Sequence, residues 1–246
     1  MLEVSVDSTR SAIAAKKGGA DRIELCGNAI IGGTTPSPAL FTHIRSLIDL
    51  PIRVLLRPRF GDFCYDEHEF DILLEEIQLF QKLGADGIVI GALTKDGNLD
   101  LPKMEAMIAK SGSMSVALHR AFDVCKDPIE TMESAILLGC DTILTSGQAD
   151  SAVHGISLLK TLQEKNQGRI EILAGAGISS DVIPKIHEET GITSFHMSGK
   201  VVKDSAMTFR KEGVPMGLPG ISEFEVWETS EEKVAAASTL LHTICL

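Results

Sequence analysis

The sequence predicts an α/β protein, a single-domain TIM (β/α)8 barrel over residues 1–246. Strand-like and helix-like segments alternate eight times along the chain. A phrase that ends a helix on glycine and enters a strand recurs as GGADRIEL, KLGADGIVI and LLGCDTIL, and more loosely as ETGITSFHM. Eight such units in about 250 residues match a (β/α)8 barrel, whereas a doubly wound open sheet, the alternative, needs fewer strands.

The strands are predicted where branched apolar residues alternate with small or polar ones, because successive side chains of a strand point to opposite faces. In the fifth strand, Val116 and Leu118 alternate with Ala117 and His119. The eight predicted strands span residues 1–6, 22–26, 53–59, 88–93, 116–122, 142–147, 170–175 and 195–199.

Capping residues and glycines predict the helices. Asp7 or Ser8 caps the first helix, which ends at Gly18, and Pro38 opens the second. The other predicted helices span residues 66–83, 101–110, 128–138, 151–164, 181–189 and 231–244. Residues 201–229 are rich in glycine and proline, and they are predicted to form a long loop, either a lid over the site or a disordered segment.

Composition limits the possible partners. The net charge of −11 argues against a nucleic acid, and no apolar run is long enough to cross a membrane. Five scattered cysteines without a CxxC pair, in a chain with no visible secretory signal, predict reduced thiols and a cytoplasmic location. The sequence predicts no organic cofactor.

The strand faces opposite the branched apolar residues carry charge. They place Glu3, Glu24, Arg57, Arg59, His119, Glu171 and His196 toward the barrel axis, with Cys26 and Ser198 nearby. Buried charges have to be paired, so Glu3 and Glu171, early in their strands, are either a structural ion-pair core or functional. The other charged residues lie near carboxyl ends of strands, where active sites of this fold sit.

Glycines and arginines predict an anion site. Gly175 and Gly177 lie at the end of the seventh strand and Ser198 at the end of the eighth, and the loops after these strands commonly bind phosphate in barrels of this class. Arg57 and Arg59 are predicted to hold the other end of the ligand. Asp62, in the same loop as Cys64, is predicted to orient Arg59 or to contact the ligand.

Cys26 is the predicted metal ligand, since it ends the second strand on the inward face. Alone it is either a buried inert thiol or a ligand. Cys64, in the loop after the third strand, is a second candidate that would have to approach it. Soft thiolates suit Cu(I), so copper is the metal that this pair indicates.

Eight motifs together resemble the CutC copper homeostasis family. They are RIELC, GGTTPSP, RPRFGDFCYD, DGIVIGAL with DGNLD, LHRAFD, LTSGQ, LAGAGI and FHMSG, in order up to about Gly199. The resemblance implies a cytoplasmic, self-associating TIM barrel with a role in copper homeostasis. It also implies a pocket formed by Glu24, Cys26, Arg57, Arg59, Asp62, His119, Arg120, Asp123, His196 and Ser198.

Two functions follow as hypotheses. In the first, a homodimer or higher oligomer handles copper, with Cu(I) bound by Cys26 together with Cys64 or His119; the lack of a CxxC, Met-rich or His-rich cluster counts against it. In the second, an enzyme acts on a small anionic or phosphorylated metabolite. His119 or Glu24 would then serve as general acid/base, Arg57 and Arg59 would clamp the anion, and Asp123 would complete the catalytic set.

Overall fold

Eight parallel strands close into a barrel in the computed structural model, which describes residues 1–211, 213–214, 216–217 and 220–244. Each strand pairs with the next along the chain, and β8 returns to pair with β1, where Glu3 lies opposite His196. The strands are β1 Leu2–Val6, β2 Arg22–Leu25, β3 Ile52–Leu55, β4 Gly87–Ile90, β5 Ser115–Leu118, β6 Thr142–Thr145, β7 Glu171–Ala174 and β8 Ser194–Met197. This topology confirms the predicted TIM barrel.

Helices surround the barrel on the outside. They are α1 Thr9–Lys17, α2 Pro38–Arg45, α3 Glu67–Lys82, α4 Leu101–Ser111, α5 Pro128–Leu138, α6 Ile156–Asn166, α7 Ile183–Thr190 and α8 Glu231–Ile244. Ser8 rather than Asp7 caps α1, since its hydroxyl accepts the N–H of Ser11. Within the described part of the chain, no helix is long and apolar enough to span a bilayer.

The main core lies between the strands and the helices. Ile23, Val54 and Leu118, from three different strands, are fully buried there. Phe41 of α2 and Phe80 of α3 meet edge to face, with ring centroids 5.6 Å apart. The branched apolar residues of the strands therefore face the helices, as the alternation predicts, and their opposite faces turn inward.

Seven of the eight predicted strands extend one to four residues beyond the carboxyl ends of the observed strands. The third ends at Leu55, because Pro58 has no N–H and Arg57 turns aside to exchange hydrogen bonds with Thr35. The fifth ends at Leu118. His119 then caps a short 3-10 helix, Arg120–Val124, so the pleat breaks before Arg120.

Residues 201–229 are partly regular, which corrects the prediction of a loop over the whole segment. Strand β9, Lys200–Asp204, pairs antiparallel with β10, Glu225–Thr229. The β10 strand packs on α1, where the N–H of Thr229 donates to the hydroxyl of Ser11 at 3.1 Å. Pro215 and Pro219, which belong to this glycine- and proline-rich segment, lie outside the described residues.

Candidate functional site at the carboxyl end of the barrel

A cavity of about 590 Å³ opens at the carboxyl ends of the strands. The sequence-predicted residues that line it are Glu24, Cys26, Arg57, His119, Arg120, Asp123, Gly177, His196 and Ser198. They come from five strand ends and the loops that follow, so barrel closure brings distant parts of the chain together. Four predicted residues lie outside the lining: Arg59, Asp62, Cys64 and Gly175.

Two carboxylates and one imidazole meet at the cavity floor. His196 Nδ1 lies 2.8 Å from Glu3 Oε1, and His196 Nε2 lies 3.7 Å from Glu24 Oε2. Burial lowers the pKa of His196, but the two neighbouring carboxylates outweigh it and raise that pKa above its usual value. Burial raises the pKa of Glu24 despite His196 and the Ser5 hydroxyl that donates to it at 3.1 Å. The floor therefore holds an imidazole that binds its proton more tightly than a free histidine does, beside a carboxyl group that also gains a proton more readily than usual.

Below this floor, charged groups fill the barrel interior. Arg22 donates to Glu3 and lies 3.4 Å from Glu171, while Arg53 Nη1 lies 3.8 Å from Glu3. Although burial raises the pKa of Glu3, these arginines and His196 lower it to about 2. Glu3 and Glu171 thus belong to an ion-pair core, the structural alternative. Arg22 and Arg53 supply the positive charges of this core. The strand alternation that points Arg57 inward also points Arg53 inward, so the sequence contained a signal for the position of Arg53.

Arg57 lies in the cavity wall, and no carboxylate of the described residues pairs with it. Its side chain donates to the backbone carbonyls of Gly32, Gly33 and Gly61 at 3.4, 3.2 and 2.6 Å. The ring of Phe63 stacks on it, with its centroid 4.9 Å from the guanidinium carbon. Its Nε has no hydrogen-bond partner among the described residues. The site therefore contains a buried cation whose described neighbours are carbonyl dipoles and an aromatic ring rather than a carboxylate.

His119 is a neutral imidazole in the same wall. Its Nδ1 accepts the N–H of Ala121 at 3.1 Å, which leaves the proton on Nε2, a buried donor with no partner in the described chain. Burial, and then the positive charge of Arg57, lower its pKa to about 3. Gly91 makes room for the ring, since a Cβ there would lie 2.6 Å from Cε1.

Asp123 and Arg120 lie at the rim of the cavity and form an ion pair with each other. Arg120 Nε donates to Asp123 at 2.6 Å and Nη2 to the Ser146 hydroxyl at 3.1 Å. The Asp123 carboxylate also accepts from Thr145 Oγ1, from the Ser146 N–H and hydroxyl, and from the N–H of Gln148. Asp123 therefore anchors the turn after β6, and its carboxylate has little room for substrate.

Arg59, Asp62 and Cys64 form a separate cluster on the loop after β3. Arg59 donates to Glu69 of α3 and, at 3.0 Å, to Asp62. Asp62 also accepts the N–H of Cys64 at 3.1 Å. Because β3 ends at Leu55, strand alternation does not govern Arg59, and its side chain does not line the cavity with Arg57.

Cys26 is a buried thiol in the cavity wall. It donates to the carbonyl of Val6 at 3.6 Å and lies 3.8 Å from the Ser5 hydroxyl. Burial and the nearby Glu24 raise its pKa. Over the described residues, the one group of three His, Cys, Asp or Glu side chains close enough to share an ion is Glu3, Glu24 and His196, whose ligand atoms lie within 4.8 Å. That group has hard oxygen ligands and already forms ion pairs.

The two glycines predicted at the end of the seventh strand differ in their position relative to the cavity. Gly177, with φ +74°, lines the cavity, whereas Gly175 packs behind it, because a Cβ there would meet Leu144 at 2.6 Å. Gly177 and Ser198 also border a second cavity of about 520 Å³, which continues to Ser179 and Lys233. The loops after β7 and β8 therefore meet between the two cavities, since Gly177 and Ser198 line both.

Sequence reasoning missed Phe63 and the three glycine carbonyls that hold Arg57. Phe63 contacts both Arg57 and His119, and the ring centroids of Phe63 and His119 are 4.8 Å apart. Its place in the motif GDFCYD was an available signal. No sequence signal marks the three carbonyls, since backbone acceptors are the same for every residue type.

Comparison with known proteins covers nearly the whole chain. Residues 1–201 match the CutC family. A Parabacteroides distasonis protein named family protein CutC is 44% identical over 238 residues, 96% of this chain and 98% of the relative. The human protein named copper homeostasis protein cutC homolog is 40% identical over 245 residues, 99% of this chain and 90% of the relative. A crystal structure of CutC from Streptococcus agalactiae, 28% identical, aligns with a TM-score of 0.77 over 80% of this chain and 98% of that one.

Proposed function

The chain belongs to the CutC family, and we propose that it serves copper homeostasis by binding Cu(I) as its cargo at the mouth of the barrel. A human relative bears the name copper homeostasis protein. The observation that carries the proposal is that Cys26 and His119 line one cavity. To bind Cu(I) through Nε2, His119 would shift its proton to Nδ1 and give up the hydrogen bond from the Ala121 N–H. A thiolate and an imidazole are ligands that soft copper accepts.

The structure narrows the ligand set proposed for Cu(I). Cys64 lies outside the cavity lining, so His119 is the better second ligand to Cys26. The floor group of Glu3, Glu24 and His196 suits copper less, because carboxylate oxygens favour harder ions. Cu(I) is therefore expected to bind through one sulfur and one nitrogen.

The number of protons released on binding distinguishes Cys26 with His119 from other Cu(I) ligand pairs. Burial raises the pKa of Cys26, so the free protein holds a thiol, and Cu(I) has to displace its proton. His119 is already neutral, since its pKa is lowered to about 3, and it releases nothing. We expect one proton per Cu(I), and an affinity that rises about tenfold per pH unit near neutrality.

Competition with a chromophoric Cu(I) chelator under anaerobic conditions tests the proposal. The wild type is expected to take one Cu(I) from the chelator, and Cys26→Ser to lose that capacity. Cys140→Ser is the matched control, because Cys140 is also buried but lies at the entrance of β6, away from the cavity lining. If Cys26→Ser binds Cu(I) as tightly as Cys140→Ser, the thiolate site is wrong.

We also propose a cytoplasmic location. The four described cysteines, Cys26, Cys64, Cys125 and Cys140, are free thiols. Disulfides are rare where thiols are kept reduced, and Cu(I) is the reduced form of the metal. Fractionation of cells with an antibody to the chain checks this, and recovery in a secreted or envelope fraction would contradict it.

A further inference from the structure

We propose that the cavity also binds a small organic oxyanion, a carboxylate or a phosphate ester, between Arg57 and His119. This site is defined on the copper-free protein and goes beyond the cargo role proposed above; because both ligands use Nε2 of His119, an oxyanion and Cu(I) are expected to compete. It rests on two buried atoms of the cavity wall that lack partners among the described residues, Arg57 Nε and His119 Nε2, and on the charge balance around them.

The charge balance points to an anion. Of the charged residues that line the cavity, Arg120 pairs with Asp123 and Glu24 faces His196. Arg57 is only 8% exposed, and its partners are neutral carbonyls. A buried guanidinium without a counter-charge is costly, and an oxyanion bound in the cavity beside it would offset that cost.

His119 supplies a neutral donor beside the cation. Arg57 is near enough to lower the pKa of His119, after the larger effect of burial. The Nε2–H of His119 can therefore donate to a ligand oxygen without adding a second positive charge. Phe63 packs against both side chains and holds them in one wall. A small ligand with a charged oxygen and a neighbouring neutral acceptor fits this pair.

A purely structural role for Arg57 is the competing explanation. Its two terminal nitrogens tie the loop of Gly32 and Gly33 to Gly61, and that bracing alone would keep the residue buried. Bracing does not account for the unpartnered Nε or for the unpartnered Nε2 of His119. The two explanations differ in whether a ligand binds at all.

Isothermal titration of copper-free protein with inorganic phosphate and with glycolate tests the site and distinguishes the two oxyanion classes. Saturable binding of at least one is expected. Arg57→Gln is expected to weaken it about tenfold or more, since a charge-assisted hydrogen bond is lost. Arg59→Gln is the matched control, because that arginine lies outside the cavity and pairs with Glu69; we expect its affinity within about twofold of wild type.

A second measurement on the wild type keeps the test valid if Arg57→Gln fails to fold. The ¹⁵N resonance of His119 Nε2 is expected to move as the bound anion saturates, with its proton retained. Any of three results would overturn the site: neither anion binds saturably, the ¹⁵N resonance of His119 Nε2 does not move during the titration, or Arg59→Gln weakens binding as much as Arg57→Gln does. Because the titrations contain no copper, they succeed or fail independently of the Cu(I) competition.

Discussion

The two histidines of the cavity show how single residues acquire opposite properties within one site. His196 lies against Glu3 and Glu24, which raise its pKa against the effect of burial. His119 is more deeply buried, but its charged neighbour is Arg57, and its pKa is lowered to about 3. One imidazole therefore gains a proton more readily than a free histidine, and the other is a neutral ligand or donor.

The neutrality of His119 predicts how stability depends on pH. An unfolded histidine binds a proton below about pH 6.5, whereas His119 in the folded protein resists it down to about 3. The unfolded state thus binds more protons in this window, and the free energy of unfolding falls as pH decreases, by about 1.4 kcal/mol per unit. We expect His119→Gln to lose this contribution, so its slope between pH 5 and 6.5 is smaller than that of wild type.

Urea unfolding at half-unit pH steps measures the slopes. The window stops at pH 5 because Glu3, whose pKa is lowered from 4.5 to about 2, adds a loss of the same sign at lower pH. His154→Gln serves as the control, since it removes an exposed histidine. Equal slopes for wild type and His119→Gln would show that His119 is not held neutral.

At the scale of elements, the early strand ends decide which side chains reach the cavity. After Leu118 the chain enters the 3-10 helix Arg120–Val124, and this turn swings Arg120 to the rim, where it meets Asp123 and Ser146. Alternation alone would point Arg120 away from the axis. The short helix therefore joins the end of β5 to the turn after β6 and shapes that side of the mouth.

Asp123 is expected to be the anchor of this junction. Asp123→Ala removes the acceptor for Thr145, Ser146, Gln148 and Arg120. We expect a loss of about 2–4 kcal/mol in the free energy of unfolding, because buried donors are left unsatisfied. Urea unfolding measures the loss, and hydrogen exchange is expected to accelerate most in residues 145–149.

The control for this junction is Asp150→Ala, in the same loop, whose exposed carboxylate contacts His154 and Ser151. It is expected to change stability little. A similar loss in both variants would contradict an anchoring role specific to Asp123.

At the scale of the molecule, closure of the barrel creates both the ion-pair core and the mouth. The pairing of β1 with β8 places Glu3 beside His196, 193 residues away. The β9–β10 pair lies outside this arrangement, since no described residue of 201–229 lines the cavity. A lid over the site therefore has no support in the described part of that segment.

We expect self-association from the family resemblance, and we propose the segment after β9 as the surface that mediates it. Phe209 and Met216 are 70% and 82% exposed, large values for apolar side chains. Light scattering after size exclusion is expected to give the mass of a dimer or larger oligomer. The double variant Phe209→Asp with Met216→Asp is expected to shift it toward the monomer.

Leu137→Asp is the control for self-association, because Leu137 of α5 is 86% exposed elsewhere on the surface. It is expected to leave the mass unchanged. A monomeric wild type would contradict self-association, and a double variant with the mass of wild type would place the interface elsewhere.

The sequence by itself determined the fold and half of the site. Side-chain alternation and glycine stops are local properties, so they predicted eight βα units and the inward turn of Glu24, Cys26 and His196. Only the tertiary structure decided where each strand stops and which charge neutralises which. Arg57 and Arg59 have the same local pattern, yet one is buried among carbonyls and the other pairs with Glu69. Pairing energies depend on groups distant in the chain, and no local pattern records them.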